Sequence, residues 1–217
     1  MSTLTVETFI LGPDETNCYL LSAGGEAVVI DAGVDPARLA ARIKEQGFAL
    51  RGVYLTHFHI DHAGGAGELR QLFGAPVFAS PHDDFLKDIS LEAGGVRELA
   101  EFLDFPVEPL GPGRRTVLGQ PMVVLDTPGH TPGSLSFFFP AAGCVFVGDL
   151  LFMIAVGRTD LPRGSGPELI GSIRSRIFIL PGDTRVYPGH GPMTTVIHEK
   201  ENNPHFIFQS GSGGPVN

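Results

Sequence analysis

The sequence predicts an α/β chain built in stacked layers, and three observations predict it. Short apolar runs of strand length recur in groups, and each group is followed by a segment with helical spacing, the pattern of sheets covered by helices. Glycine and proline number 29 and 18 among 217 residues, enough to punctuate many short strands. The ionisable residues able to carry chemistry stand where strands end: His57 to His62, His130, Asp149 and His190.

Residues 4–11, 17–22 and 26–31 read as three strands, with Gly24-Gly25 as a hairpin turn. Asp35 caps a helix with Pro36 in its first turn; Leu39, Ala40 and Ile43 supply its apolar face and Gly47 ends it. Residues 52–55 are a short buried strand, and a helix follows over 65–73. Residues 76–79 form another short strand. The more polar stretch 83–104 reads as helical in two pieces broken near Gly94-Gly95, with no ligand pattern, and 106–112 as a loop-rich connection. Strands resume at 114–118, 121–126, 134–139 and 144–148, then a helix around 167–177, a strand at 184–187 and a C-terminal helix near 194–202. Residues 1–208 are expected to form one domain and 209–217, rich in Gly, Ser and Pro, a flexible tail.

Composition excludes several classes. A formal net charge of −9 argues against a nucleic-acid partner, whose phosphates call for a basic surface. No run of about 18 apolar residues exists, so no membrane span is expected. The first thirteen residues carry no Lys or Arg, which argues against a signal peptide and for a cytoplasmic protein. Cys18 and Cys144 lie in apolar strand-like runs and are expected to be buried free thiols.

The chemistry concentrates in Thr56-His57-Phe58-His59-Ile60-Asp61-His62-Ala63-Gly64-Gly65. In an extended turn His57 and His59 point the same way, Asp61 follows at the next odd position and His62 points elsewhere, an arrangement that can serve two neighbouring cations. Imidazole with carboxylate suits zinc, iron or manganese. Three further strand ends offer ligands in Gly/Pro loops: Asp126-Thr127-Pro128-Gly129-His130-Thr131-Pro132-Gly133, Gly148-Asp149, and Pro188-Gly189-His190-Gly191-Pro192. Four such loops predict one convergent metal site. Ser134 and Ser136 lie on a strand without a Gly-x-Ser-x-Gly elbow, so a serine nucleophile is not expected. His82, His198 and His205 read as surface or loop histidines. Phe58, between two ligands, either walls the pocket or packs the turn.

These segments resemble the metallo-β-lactamase-fold hydrolases, and more narrowly the glyoxalase II-like (hydroxyacylglutathione hydrolase-like) branch. The resemblance also takes in Gly157-Arg158-Thr159-Asp160, Glu199 and Asn203-Pro204, and runs from about residue 6 to 206. It implies a four-layer αββα sandwich with the metal site at the edge between the two sheets. It further implies two divalent metal ions, zinc first, with iron or manganese as alternatives. His57, His59 and His130 would hold the first, Asp61, His62 and His190 the second, and Asp149 would bridge them. Asp31 would hydrogen-bond a ligand histidine and set its tautomer. The implied reaction is thioester cleavage of S-(2-hydroxyacyl)glutathione or a similar small acyl thiol by a metal-bridging hydroxide, with Asp61 and Asp149 as catalytic carboxylates and Arg158 at the substrate; Phe58 joins Arg158 there if it walls the pocket. Two features depart from glyoxalase II. Only 27 residues follow His190, so a short form without the C-terminal helical domain that helps hold glutathione is expected. The Gly157–Asp160 run also resembles the persulfide dioxygenases, which would place one iron on His57, His130 and Asp149. Lactonase, phosphodiesterase and β-lactamase chemistries share the fold. A metal-binding module without catalysis is the reading from a different class.

Overall fold

The computed structural model describes residues 3–86 and 104–207. Two six-stranded sheets form its centre. The first runs in spatial order β1 (Thr5–Leu11), β2 (Thr16–Ala23), β3 (Glu26–Ile30), β4 (Ala49–Tyr54), β5 (Val77–Ala79) and β6 (Glu108–Pro109). The second runs β7 (Gly113–Val117), β8 (Gln120–Asp126), β9 (Leu135–Phe139), β10 (Cys144–Gly148), β13 (Arg185–Pro188) and β14 (Thr194–Thr195). A separate hairpin, β11 (Leu151–Phe152) with β12 (Ala155–Val156), follows β10. The helices are α1 (Ala37–Gln46), α2 (Ile60–Ala63), α3 (Ala66–Phe73), α4 (Gly166–Ser172, continuing as a π-helical turn over Ile173–Ile177), α5 (Val196–Asn202) and α6 (Pro204–Ile207).

The layers follow from side-chain alternation along strands that are buried on both faces. In β2, Cys18 and Leu20 face a core shared with Leu39, Ile43 and Leu69 of α1 and α3, while Tyr19 and Leu21 face the other sheet. In β10, Cys144 and Phe146 point to that same inter-sheet core, beside Phe137 and Phe139, and Val145 and Val147 pack on Leu169, Ile173 and Ile177. Three apolar cores thus separate four layers, helix, sheet, sheet and helix, as the resemblance implies. Cys18 and Cys144 are buried free thiols.

The connections decide where chemistry sits. β3 and β4, β4 and β5, and β10 and β13 pair in parallel, so each connection must cross over and return the next strand in the same direction. The carboxyl ends of β3, β4, β10 and β13 therefore open on one edge. Two main-chain bonds stitch the sheets together there: Leu135 N–H to Thr56 O at 2.8 Å and Asn17 N–H to Gly189 O at 2.7 Å.

Several boundaries differ from expectation. Pro36 lies just outside α1, whose first free amide, Ala37 N–H, donates to Asp35 Oδ1 at 3.0 Å. Thr194 and Thr195 pair with β13 before α5, and Thr195 then caps that helix. The connection 106–112 contains the edge strand β6. The two helical pieces expected over 83–104 fall mostly, and the tail 209–217 wholly, outside the described residues. Among the described residues no helix is long and apolar enough to cross a membrane.

Candidate metal centre

The histidine-rich loop is extended only as far as His59, whose φ and ψ are −64° and 145°. One turn of helix, α2, then carries Asp61 and His62. The strict odd-position register expected through Asp61 is thus replaced by a strand-to-helix break, and helical rotation brings Asp61 Oδ2 within 3.3 Å of His62 Nε2.

Around this break all seven expected ligands come together. His57, His59 and His130 form one group of donor atoms within 4.8 Å of one another, and Asp61, His62 and His190 form a second. His130 Nε2 lies 2.9 Å from His59 Nδ1, and His190 Nε2 lies 3.2 Å from Asp61 Oδ2. Asp149 stands between the groups. Its Oδ2 is 3.7 Å from His130 Nε2, and its Oδ1 is 3.2 Å from His62 Nε2 and 3.6 Å from His190 Nε2. Space for this comes from Gly189, where a Cβ would overlap Asp149 Oδ1 and lie 2.6 Å from His62 Cε1.

Hydrogen bonds behind the rings aim them. His130 Nδ1 donates to Arg158 O at 2.8 Å and His190 Nδ1 to Asp14 O at 3.0 Å, since a carbonyl can only accept. His62 Nδ1 donates to Asp31 Oδ2 at 2.8 Å. Thr56 Oγ1 also gives its proton to Asp31 Oδ2, and so accepts from His57 Nδ1 at 3.0 Å. In four of the five rings the proton is committed to the rear, and the Nε2 lone pair faces the centre. Three of those Nε2 atoms, on His62, His190 and His130, lie within 3.7 Å of a carboxylate oxygen, an arrangement that repels unless a proton or a cation lies between. His57 Nε2, His62 Nε2 and Asp149 Oδ1 are buried without a hydrogen-bond partner. Orphaned donors of this chemistry, converging on one space, fit divalent cations.

The proton affinities divide the same way. Burial holds His57 well below the usual imidazole range, and neighbouring imidazoles add to it. Burial brings His59 down to about 4. At His62 burial acts downward but is outweighed by the charges of Asp149 and Asp31, so its pKa is raised. His190 is raised by its hydrogen bond to Asp61. Burial acts upward on Asp61, but the bond from His190 and the His62 charge outweigh it and hold Asp61 well below the carboxylate range. Asp149 is lowered against its burial by His62. The first trio therefore offers neutral lone pairs and the second brings negative charge. A cation entering the second trio competes with a proton for His62 and His190.

Outside the ligands, Asp31 sits where expected and also accepts from Thr56 N–H at 2.8 Å. Phe58 is corrected: it is 1% exposed and packs into the core beneath the first sheet, so it cannot wall a pocket. Arg158 lines the rim of the open cleft, where its guanidinium makes a two-pronged pair with Asp160 at 2.7 Å. That cleft, about 650 Å³, runs from the two trios past Ile60, Phe152, Val156 and Leu161. His82 and His205 are exposed and His198 half-buried, all outside the centre.

Sequence reasoning missed most of the outer frame, naming Glu199 and Asn203 without a role. Thr16 Oγ1 donates to Asp61 Oδ2 at 3.1 Å, and Asn17 Nδ2 donates to Pro188 O and Gly191 O, holding the His190 loop. Asp83 binds the other two loops. Glu199, fully buried, accepts from Thr194 Oγ1, Asn203 Nδ2 and Ile154 N–H, which anchors the hairpin that brings Phe152 to the cleft. For Thr16 and Asn17 the available signal was a polar pair heading a buried apolar run.

Comparison with known proteins shows the family. The family model for the metallo-beta-lactamase superfamily matches residues 11–198. The chain is 35% identical over 197 residues to the probable metallo-hydrolase YqgX of Bacillus subtilis (strain 168), spanning 89% of this chain and 93% of that protein. It is 34% identical over 211 residues to the hydroxyacylglutathione hydrolase GloC of Haemophilus influenzae (strain ATCC 51907 / DSM 11121 / KW20 / Rd), spanning 93% and 97%. The crystal structure of TTHA1623 in a di-iron-bound form matches with a TM-score of 0.81 and 37% identity, over 93% of this chain and all of that one, 100%.

Proposed function

The chain belongs to the metallo-β-lactamase superfamily and is a metal-dependent hydrolase of that kind, and from this premise we propose that it hydrolyses thioesters at a pair of divalent cations. The substrate we assign is an S-(2-hydroxyacyl)glutathione or a similar small acyl thiol. The observation that carries the reading is Asp149, with one carboxylate oxygen toward His130 and the other toward His62 and His190. The grouping of the donor atoms into two trios supports two cations over one. His57, His59 and His130 would hold one cation, Asp61, His62 and His190 the other, and Asp149 both. Zinc is our first assignment and iron the alternative, since a similar protein is known in a di-iron form.

When bound, the cations supply Lewis acidity and a water whose pKa is lowered toward ~7. Everything else falls to the chain. Asp31, Thr56 and the carbonyls of Asp14 and Arg158 hold the rings so that lone pairs face inward. Asp61 and Asp149 supply the negative charge that limits the centre's net positive charge and orient the attacking water. Phe152, Val156 and Leu161 give the acyl or thiol part an apolar wall. Arg158 would meet the thiol end by exchanging Asp160 for a substrate group. A thiolate leaves readily, so no strong general acid is needed. Support for the substrate class comes from the 34% identity to the hydroxyacylglutathione hydrolase.

The test is elemental analysis of protein purified without added metal, beside assays on S-lactoylglutathione and on a penicillin. Two cations per chain and thioester turnover far above β-lactam turnover are expected. Comparable turnover of both, or one iron with oxygen consumption on glutathione persulfide, would overturn the assignment.

A further inference from the structure

We infer that Asp83, which belongs to neither trio, is a positioning residue that sets the separation of the His57/His59 loop and the His130 loop, and with it the affinity of the first cation site. The inference rests on the two-cation reading above. Asp83 ends a short 3-10 turn, Pro81–Asp83, that follows β5. It is 0% exposed. The turn has its own cap in Ser80, whose Oγ accepts from His82 N–H, so Asp83 is not needed there.

Three hydrogen bonds to its carboxylate come from outside its own element. Oδ2 accepts from Phe58 N–H at 3.3 Å and from Thr131 Oγ1–H at 2.7 Å, and Oδ1 accepts from Gly133 N–H at 2.7 Å. Phe58 is the residue between His57 and His59, and Thr131 follows His130. Every member of the first trio therefore has a chain neighbour held by this one carboxylate, and the two loops it joins come from different sheets. Gly133 admits it closely, since a Cβ there would lie 2.6 Å from Asp83 Cγ. A carboxylate buried in this way is costly unless its acceptors are filled, and filling them fixes the donors in place. The second trio is held by other groups, namely Asp31, Asp14 O and Thr16, so the effect on it is small.

The experiment is stepwise release of zinc from the loaded protein by a competing chelator, comparing wild type with Asp83→Asn and Asp83→Ala. Asn keeps an acceptor for Gly133 and lets the Thr131 hydroxyl reverse, losing only the Phe58 bond, whereas Ala loses all three. One cation should leave at roughly 10–100-fold lower chelator in Asp83→Ala, with a smaller shift in Asp83→Asn and the other step unmoved. A role confined to folding would lower thermal stability and leave the spacing between the two release steps unchanged, and that result overturns the inference. So does a variant in which both steps move together. If Asp83→Ala fails to fold, Thr131→Val and Thr131→Ser decide: Val should release the first cation early and Ser should restore it, and equal release overturns the inference. Wild-type protein with Asp83-dependent release but no thioester turnover would sink the functional reading and leave this one standing.

Discussion

Asp31→Asn should disturb both cation sites at once, through a change of one oxygen to nitrogen. Asp31 is 1% exposed and its φ is 55°, a left-handed conformation that Asn adopts as readily as Asp, so the backbone contributes nothing to the effect. The amide oxygen can keep the Thr56 N–H. The amide nitrogen then faces two donors, Thr56 Oγ1–H and His62 Nδ1–H, each formerly 2.8 Å from Oδ2. To accept from the amide, His62 must move its proton to Nε2, the atom that faces the centre. Thr56 can accept by turning its hydroxyl, but its proton then points at His57 Nδ1, 3.0 Å away, and pushes the His57 proton to Nε2 as well. One lone pair is lost from each trio. Loss of a buried charged pair costs about 3–5 kcal/mol of stability, and loss of such an orienting partner costs roughly 10–100-fold in metal affinity at each site. Chelator titration with zinc analysis reads the second quantity, and urea unfolding of stripped and loaded protein reads the first. Thr56→Val removes only the relay to His57 and should weaken one site. Two cations held by Asp31→Asn at wild-type affinity, or early loss of only one, would refute the relay.

Asp149→Ala should remove both cations or leave one weakly held, as elemental analysis would show; two cations at unchanged affinity would disprove the bridge. His190→Ala should drop the content from two to about one and reduce thioester hydrolysis with it, while Arg158→Ala should keep both cations and alter only substrate binding, a contrast that parallel metal and kinetic measurements would reveal or deny. In stripped protein His59 sits at about 4 against 6.5 when unfolded. The unfolded chain takes up this proton first, so the group's contribution is complete above the unfolded value and lost as pH falls toward 4. His62, raised in the fold, works oppositely, its contribution present at low pH and lost as pH rises. Comparing wild type with His59→Gln isolates the His59 share: the variant's urea midpoint should fall less between neutral pH and about pH 5, and equal falls would contradict it.

What the sequence by itself determined is the ligand chemistry and its placement at strand ends. Cations demand imidazole and carboxylate, residue types scarce enough that His57, His59, Asp61 and His62 in six positions stand out. The Gly and Pro around His130 and His190 signal sharp loops for the same local reason. Apolar runs of strand length followed by helical spacing carried the layers, and the resemblance supplied their number. Apart from Asp31, which the resemblance supplied, only the tertiary structure decided how the ligands are aimed. The partners of His190 and His130 are carbonyls of Asp14 and Arg158, and every residue has a carbonyl, so no side-chain pattern marks them. Asp83 looks like any turn acid until Phe58 and Gly133, 25 and 50 residues away, close around it. Phe58 alternates with ligands along the chain and only packing assigns it to the core. The break from strand to helix at Ile60 likewise depends on what the loop meets. A ligand is chosen by its own chemistry, which is local and legible. Its direction is set by hydrogen bonds between segments far apart in the chain, which exist only once the sheets have stacked.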